Sequence, residues 1–445
     1  MGGIASKLHD GLDTVRDVLG IIAELGAKYT ATMKRVSSDA GPPVSNPTSP
    51  YWMQDPPYPE LLDLQHDVPA EADVVVIGSG ITSAGATRTL CELTSDGGKG
   101  PAIVVLEARQ LCSGATARNG GHIKLTAHSE YARLRRAFGA SKAKKMVKMQ
   151  LSNLEIMSEV GRHIPQGEVR RVETVDFFIN EEEFEDAKGD VEVLREEIPG
   201  VGIEVWDGKG AKEKFGVNDH VVGALSYTAG ALWPFRLINS VWHELVQHYP
   251  NLVISTHTPV EAITEGGKSS QYPYIVHTSR GAVKARHVLH ATNGYTTHLI
   301  PGLRGYLVGV RGHMTAQRPG NDFPRMHGNR SWSIIYAPGF DYVTQRPDGE
   351  DGSPGDLMLG GAFFKSKDDG LDQIGTADDG RTDAESLMHL RGSMATLHEP
   401  NWGAGGELKK AWSGIMGMTG DMLPFVGPLP KMKGIPGPSL QSKGG

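Results

Sequence analysis

Apolar residues recur every three or four positions at the start of the chain, at Ile4, Leu8, Leu12, Val15, Leu19, Ile22 and Leu25. This spacing lays one apolar stripe along a helix, so residues 1–36 are expected to form an amphipathic helix whose stripe needs cover. The period then stops. Residues 37–60 hold seven prolines, and because proline fixes φ and removes an amide donor, an extended connector is expected, running to residue 70. At "ADVVVIGSG" (72–80) the pattern becomes a continuous apolar run ending in glycines. "ITSAGATRTLCEL" (81–93) resumes as a helix, and "AIVVLEA" (102–108) is a second apolar run. Short runs of this kind suit strands covered on both faces, so the stretch predicts a β-α-β unit.

Further along, "TVDFFIN" (174–180) and "NLVIST" (251–256) read as strands separated by acidic helices. "DYVTQRPDGEDGSPGDLMLGG" (341–361) reads as two strands around a turn rich in Gly, Asp and Pro, an antiparallel hairpin. The alternation makes the chain α/β, less regular than a purely doubly wound sheet.

Composition narrows the function more than the fold. The 445 residues, 39% of them hydrophobic, suffice for one large domain or two connected ones. A net charge of -7 leaves no basic excess for a nucleic-acid partner, and the short run "KAKKMVK" (142–148) reads as a solvated helix face. Cys91 and Cys112 are too few for a disulfide framework or a thiolate metal site, which fits a cytoplasmic protein. His243 and His248 are five apart and do not share a helix face as zinc ligands would, and no H-E-x-x-H or G-x-S-x-G motif occurs, so no metal site is expected. The opening "MGGIAS" fits an acyl-acceptor pattern at Gly2 and Ser6. Weak peripheral membrane association is therefore one expectation for the first helix, and packing on its own body or self-association is the other. Residues 1–36 carry five Lys/Arg against four Asp/Glu, so a strong electrostatic second signal is missing.

The candidate chemistry lies at the head of the β-α-β unit. Gly78, Gly80 and Ser83 form G-x-G-x-x-S directly after a strand, with Ser79, Ile81 and Thr82 between them. The first glycine permits a tight turn, the second lets backbone approach a pyrophosphate, and the helix N-terminus offers N–H donors. Glu107, followed by Ala108 and Arg109 at the end of the next strand, is placed to accept hydrogen bonds from an adenosine ribose. Then comes "SGATARNGGH" (113–122), with little side-chain volume. Its backbone at Ser113, Gly114, Ala115, Thr116, Arg118, Asn119, Gly120 and Gly121 can lie against the rest of a long cofactor. A nicotinamide enzyme has no obvious need for this second loop, whereas a flavin must be gripped along its length.

On these motifs the chain resembles the FAD-dependent oxidoreductases that include D-amino-acid oxidase, glycine oxidase, sarcosine oxidase and many fungal amine-oxidising relatives. The resemblance covers roughly residues 45–430 and extends to "HTPVEAI" (257–263), "HVLHATNGYTTHLIPGL" (287–303) and "WSGIMGMTGDMLPFVGPLP" (412–430). It implies a Rossmann-like FAD-binding domain interleaved with a mixed-sheet (α+β) substrate domain. The implied segments are 71–165, 251–302 and 406–445 for the cofactor and 166–250 and 303–405 for the substrate. It implies FAD contacts at Val260, Ala291, Thr292, Trp412, Gly414 and Asp421. The implied chemistry is oxidation of a C–N bond in a small amine or amino acid, with a hydride passing to the flavin and oxygen reoxidising it to give hydrogen peroxide. Such chemistry needs alignment more than a strong base, since a neutral amine is already primed.

Near the substrate, the resemblance points to His122 and Lys124 beside the flavin ring, with a structural histidine and a surface lysine as the alternative. Arg311 is expected to bind a carboxylate, or to make an interdomain salt bridge. Trp412 walls the flavin or fills core, and Cys112 is a covalent flavin anchor or a plain core cysteine. In relatives the segment after "P-x-x-G" continues through a strand and a glycine-rich turn into a helix under the flavin; here "KMKGIPGPSLQSKGG" follows. An FAD-binding but inactive relative is therefore the second expectation, and an NAD-dependent dehydrogenase a third.

Overall fold

The computed structural model describes residues 2–94, 100–267 and 271–429, and of residues 2–17 the helical backbone alone. Its strands are β1 (Glu71–Ile77), β2 (Ile103–Leu106), β3 (His122–Ile123), β4 (Arg170–Phe178), β5 (Ile203–Asp207), β6 (Gly223–Ala231), β7 (Leu252–Ser255), β8 (Val260–Glu265), β9 (Tyr274–Thr278), β10 (Gly281–His290), β11 (Leu307–Arg318), β12 (Arg330–Ile335), β13 (Phe340–Gln345), β14 (Leu357–Gly361) and β15 (Glu407–Thr419). The helices are α1 (Gly2–Val36), α2 (Ile81–Thr94), α3 (Ala127–Phe138), α4 (Ala140–His163), α5 (Glu181–Glu197), α6 (Gly208–Phe215), α7 (Pro234–His248), α8 (Thr296–Leu299) and α9 (Ala384–His398).

The strands form two sheets. The smaller has the order β7-β2-β1-β10-β9-β8, parallel from β7 to β10 and antiparallel beyond. Its central strands are apolar where both faces are covered, over residues 74–77 of β1 and all of β2. Val76, Ile103 and Val105 pack under α2 and α7, while Val75, Ile77, Val104 and Leu106 pack against Val260, Val276, Val283 and Ala285 on the other side. Consecutive residues thus serve opposite faces, as the period of two requires. The predicted β-α-β unit is β1-α2-β2, paired Ile77 to Leu106.

The larger sheet has the order β15-β11-β14-β13-β12-β4-β6-β3, with β5 also on β6. The predicted hairpin is β13-β14. One row of paired residues crosses it: Trp412, Met314, Gly360, Tyr342, Ser333 and Asp176. All six share a face, and Trp412 and Met314 belong to the same core as Val76, so this face looks toward the smaller sheet. The far face packs Trp332, Val343, Leu357 and Phe177 against Phe215 of α6 and Leu390 and Met394 of α9. Residues 407–419, expected to close the cofactor segment, lie in this larger sheet as its edge strand.

The first helix forms as expected, but its stripe is not covered where it is described. Leu19, Ile22 and Leu25 are 58–60% exposed. Its C-terminal turns are fastened by polar contacts, Arg35 donating to the carbonyls of Ile374 (3.0 Å) and Leu371 (2.6 Å) and Lys28 pairing with Asp368 (2.9 Å). The side chains of Ile4, Leu8, Leu12, Val15 and Ser6, and the segment 431–445, lie outside the described residues. Among the described residues no helix is long and apolar enough to cross a membrane. The connector does more than span. Trp52 is 1% exposed, against Trp233 at 5.6 Å between ring centroids.

Candidate active site

The turn between β1 and α2 is built for close backbone approach. Gly78 has φ +97°, and a Cβ there would lie 2.8 Å from the Ala291 carbonyl oxygen. Only glycine meets both conditions at no cost. Ala291 in turn donates its N–H to Ile77 at 3.0 Å. Ser79 donates its N–H (3.0 Å) and its hydroxyl (2.6 Å) to one oxygen of Glu107, whose other oxygen accepts the Arg109 N–H at 3.0 Å. A carboxylate at the end of β2 thereby fixes the turn after β1. At Gly80 a Cβ would lie 3.0 Å from Thr116 Oγ1, and that oxygen accepts the Ile81 N–H at 2.9 Å. The second loop thus sits directly on the first turn of α2, where Thr82 is exposed and Ser83 buried.

Residues 113–121 continue that contact across to the larger sheet. Arg118 is 3% exposed and donates to the carbonyls of Ser113 (2.9 Å), Thr48 (2.8 Å) and Ser413 (2.8 Å). Burial pulls its guanidinium down to about 10, still charged at neutral pH. The Trp412 indole donates to the Arg118 carbonyl at 2.9 Å, and a Cβ at Gly414 would come within 2.9 Å of Arg118 Cβ. Asn119 donates to the carbonyls of Ala115 and Thr116 and accepts the Gly121 N–H at 2.7 Å. Gly120 lies against Tyr342, and its carbonyl accepts the Thr344 hydroxyl at 2.6 Å. Gly114 faces open space. The loop is therefore packed over residues 116–121 and open at Gly114.

Beyond it, His122 and Lys124 reach a polar floor on the larger sheet. His122 Nε2 meets the Ser331 hydroxyl at 2.9 Å, and burial holds its ring well below the usual histidine range, so it is neutral. Lys124 pairs with Asp176 and donates to Ser333 at 2.6 Å; Asp176 also accepts the Tyr227 hydroxyl at 2.6 Å. Lys124 is thus not a surface lysine, its side chain being 9% exposed. Burial, and then Asp176, push the Tyr227 phenol well above its ordinary value, so it stays a donor. Asp176 and Tyr227 escaped the sequence reading. The available signal was a lone carboxylate inside the apolar strand "TVDFFIN".

The remaining candidates lie away from this floor. Arg311 is on β11 three positions from Met314, and strand alternation turns it to the far face, where it donates to Gln373 Oε1 (2.8 Å) and the Asp378 carbonyl (3.3 Å). It forms neither a carboxylate site beside Lys124 nor an ion pair among the described residues. Asp421 sits in an exposed turn, where one carboxylate oxygen accepts the Leu423 N–H and the Thr419 hydroxyl and its carbonyl accepts from Arg133 at 2.7 Å. Thr292, at the foot of the Ala291 turn, shares its hydroxyl with Thr296 at 2.9 Å. Val260 opens β8 in the smaller sheet's core. Cys112 is buried with its thiol on the Ser79 carbonyl, and burial raises that thiol well above its usual value, which disfavours the thiolate a covalent bond needs.

In the smaller sheet, a glycine turn and a strand-end carboxylate carry a second loop onto the larger sheet, an arrangement that fits a dinucleotide cofactor. Residues 73–437 match the family described as FAD dependent oxidoreductase (DAO), and the chain belongs to that family. Its cofactor is FAD. Among solved structures it is similar to glycine oxidase from Geobacillus kaustophilus, with 18% identity, a TM-score of 0.62, and 82% of this chain and 87% of that one covered. It is also similar to L-amino acid deaminase from Proteus vulgaris lacking its specific insertion (14%, TM-score 0.60, 84% and 86%). L-proline dehydrogenase from P. horikoshii is a third (18%, TM-score 0.58, 82% and 86%). At these identities the likeness is one of fold. No curated protein matches.

The residues fit the nucleotide end of FAD. Gly78 leaves a turn that a side chain could enter only under strain, a Cβ on Gly80 would lie 3.0 Å from Thr116 Oγ1, and the hydroxyls of Ser83 and Ser113 are buried with no hydrogen-bond partner among the described residues. Such hydroxyls are costly unless something satisfies them.

Proposed function

We propose that this protein oxidises the C–N bond of a small amine or amino acid and passes the electrons to oxygen, giving hydrogen peroxide. The observation that carries this reading is the polar floor of Lys124, Asp176, Tyr227, Ser331 and Ser333 on a face otherwise lined by Trp412, Met314 and Tyr342. Bound FAD supplies the two-electron acceptor. Gly78, Gly80 and Glu107 would hold its nucleotide end, and the 113–121 backbone the remainder.

The chain's own residues orient the substrate and keep water out. The enclosed floor disfavours an isolated ammonium, so the amine binds in its neutral form, its proton left to bulk water, and its lone pair assists loss of hydride from the neighbouring carbon. The iminium so formed gives up its N–H proton to water on leaving. The resulting imine is hydrolysed by water after release. Lys124, held by Asp176 and Ser333, is a fixed cation able to face a negatively charged group. His122, neutral and anchored by Ser331, adds a polar edge without a second charge.

The test is an anaerobic spectrum of the FAD-loaded protein titrated with amino acids and amines. Bleaching by one class, followed by peroxide on admitting air, is expected. A bound flavin that no amine or amino acid bleaches would overturn the proposal.

A further inference from the structure

The proline-rich connector grips the cofactor loop at residues 118–121, and the buried Asp379 meets both, its carboxylate pairing with Arg109 and Arg118 and its main-chain carbonyl with the connector. Asp379, with its side chain 1% exposed, accepts from Arg109 at 2.9 and 3.0 Å and lies 3.3 Å from Arg118 Nε. Two cations share this one anion. Thr48 donates its N–H to the Asp379 carbonyl at 2.8 Å, its hydroxyl accepts from Arg118 at 3.0 Å, and its carbonyl accepts from the same guanidinium. Ser413 of β15 closes the set, its N–H donating to the Thr48 hydroxyl at 3.0 Å. One residue beyond Arg118, the Trp52 indole donates to the Asn119 carbonyl at 2.5 Å, and a Cβ on Gly121 would lie 3.1 Å from the Trp52 ring.

We propose that residues 44–52 are a strap that retains FAD, with Asp379 as the positioning residue that locks the strap to loop 113–121. A group gripped by this loop leaves only when the loop moves, and the loop cannot move without breaking Thr48 from Arg118 and Trp52 from Asn119. Without Asp379 the two guanidiniums would be buried unpaired and would recover solvation only by opening the strap. Coupling is reciprocal, so bound FAD must also hold the strap in place. The inference rests on FAD as the cofactor and is independent of which substrate is oxidised.

The experiment uses the full chain loaded with FAD. After dilution, recovery of free-flavin fluorescence measures release. Thr48→Val, which keeps shape and removes the hydroxyl, and Asp379→Asn are expected to release FAD about tenfold faster or more, with circular dichroism unchanged. Hydrogen exchange at the Thr48 amide in the wild-type chain is expected to slow on loading. This readout needs no variant, so it decides the matter even where Asp379→Asn fails to fold. A folded Thr48→Val protein that releases FAD at the wild-type rate, or equal exchange at Thr48 with and without FAD, overturns the strap alone. A wild-type chain that takes up no FAD overturns the strap and the proposed oxidation together.

Discussion

At the scale of single residues, the site depends on positions where one atom more or one charge fewer has no room. Gly78→Ala adds a Cβ 2.8 Å from a backbone oxygen at φ +97°. The left-handed region costs an alanine about 1 kcal/mol and the contact adds to it. A loss of about 2 kcal/mol in urea unfolding is expected, together with a reduced ratio of flavin to protein absorbance; a variant with wild-type flavin content would contradict the role given to this turn. The Lys124–Asp176 pair makes a second prediction. With 9% and 2% exposure, neither side chain can be rehydrated in place, so Asp176→Leu leaves a buried ammonium and should cost about 3–5 kcal/mol. Lys124→Met with Asp176→Leu should be closer to wild type than Asp176→Leu alone. A double-mutant cycle read from unfolding midpoints checks this, and simple additivity would show that the pair is not coupled.

At the scale of elements, the start of the smaller sheet was legible because residues 74–77 and Ile103–Leu106 are unbroken apolar runs and Gly78 and Gly80 follow the first at once. The larger sheet's active face was not. Lys124, Asp176 and Ser333 meet through pairings between strands far apart in sequence, which no local pattern encodes. Arg311 shows the same limit from the other side. β11 is buried along most of its length on both faces, so alternation says that Arg311 and Met314 diverge without saying which faces the cofactor. The stripe on α1 was legible as a stripe, but its cover was not. This gives a third prediction. The described side-chain hydrogen bonds and ion pairs of α1 with the body are those of Arg35 and Lys28, so a chain beginning at residue 37 should keep its fold and its FAD. Its melting temperature should fall by no more than about 1–2 °C, the shift expected for roughly 1 kcal/mol in a chain of 445 residues. It should also self-associate less by size-exclusion chromatography, because exposed Leu19, Ile22 and Leu25 are gone. Loss of FAD on this deletion would mean that α1 contributes to the cofactor domain.

At the scale of the whole molecule, buried histidines set the response to acid. His128, His313 and His398 are each at most 3% exposed, and burial lowers each ring to about 4. Geometry agrees for His313, whose Nε2 accepts the Asp383 N–H at 3.0 Å and must be unprotonated to do so. Asp383 caps α9 by accepting the Ser386 N–H at 2.8 Å, so protonating His313 would disturb the start of that helix. In the unfolded chain these rings titrate near 6.5. The unfolded state therefore binds more protons between about pH 6.5 and 4, and stability falls as pH drops through that window. Each ring contributes up to about 3 kcal/mol of loss at the lower limit, against a total stability of about 5–15 kcal/mol for a folded protein. Carboxylates held below their usual values, such as Asp39 and Asp383, act only at lower pH, so the two effects separate. Melting temperature is expected to be level above pH 7 and to fall steeply between 6.5 and 4. His398→Gln should flatten part of that fall while lowering stability at pH 7, because its ring packs against Phe323 at 4.9 Å. A melting temperature unchanged down to pH 4.5 would mean that the rings are not buried in neutral form, and the packing of α9 on the larger sheet would need revision.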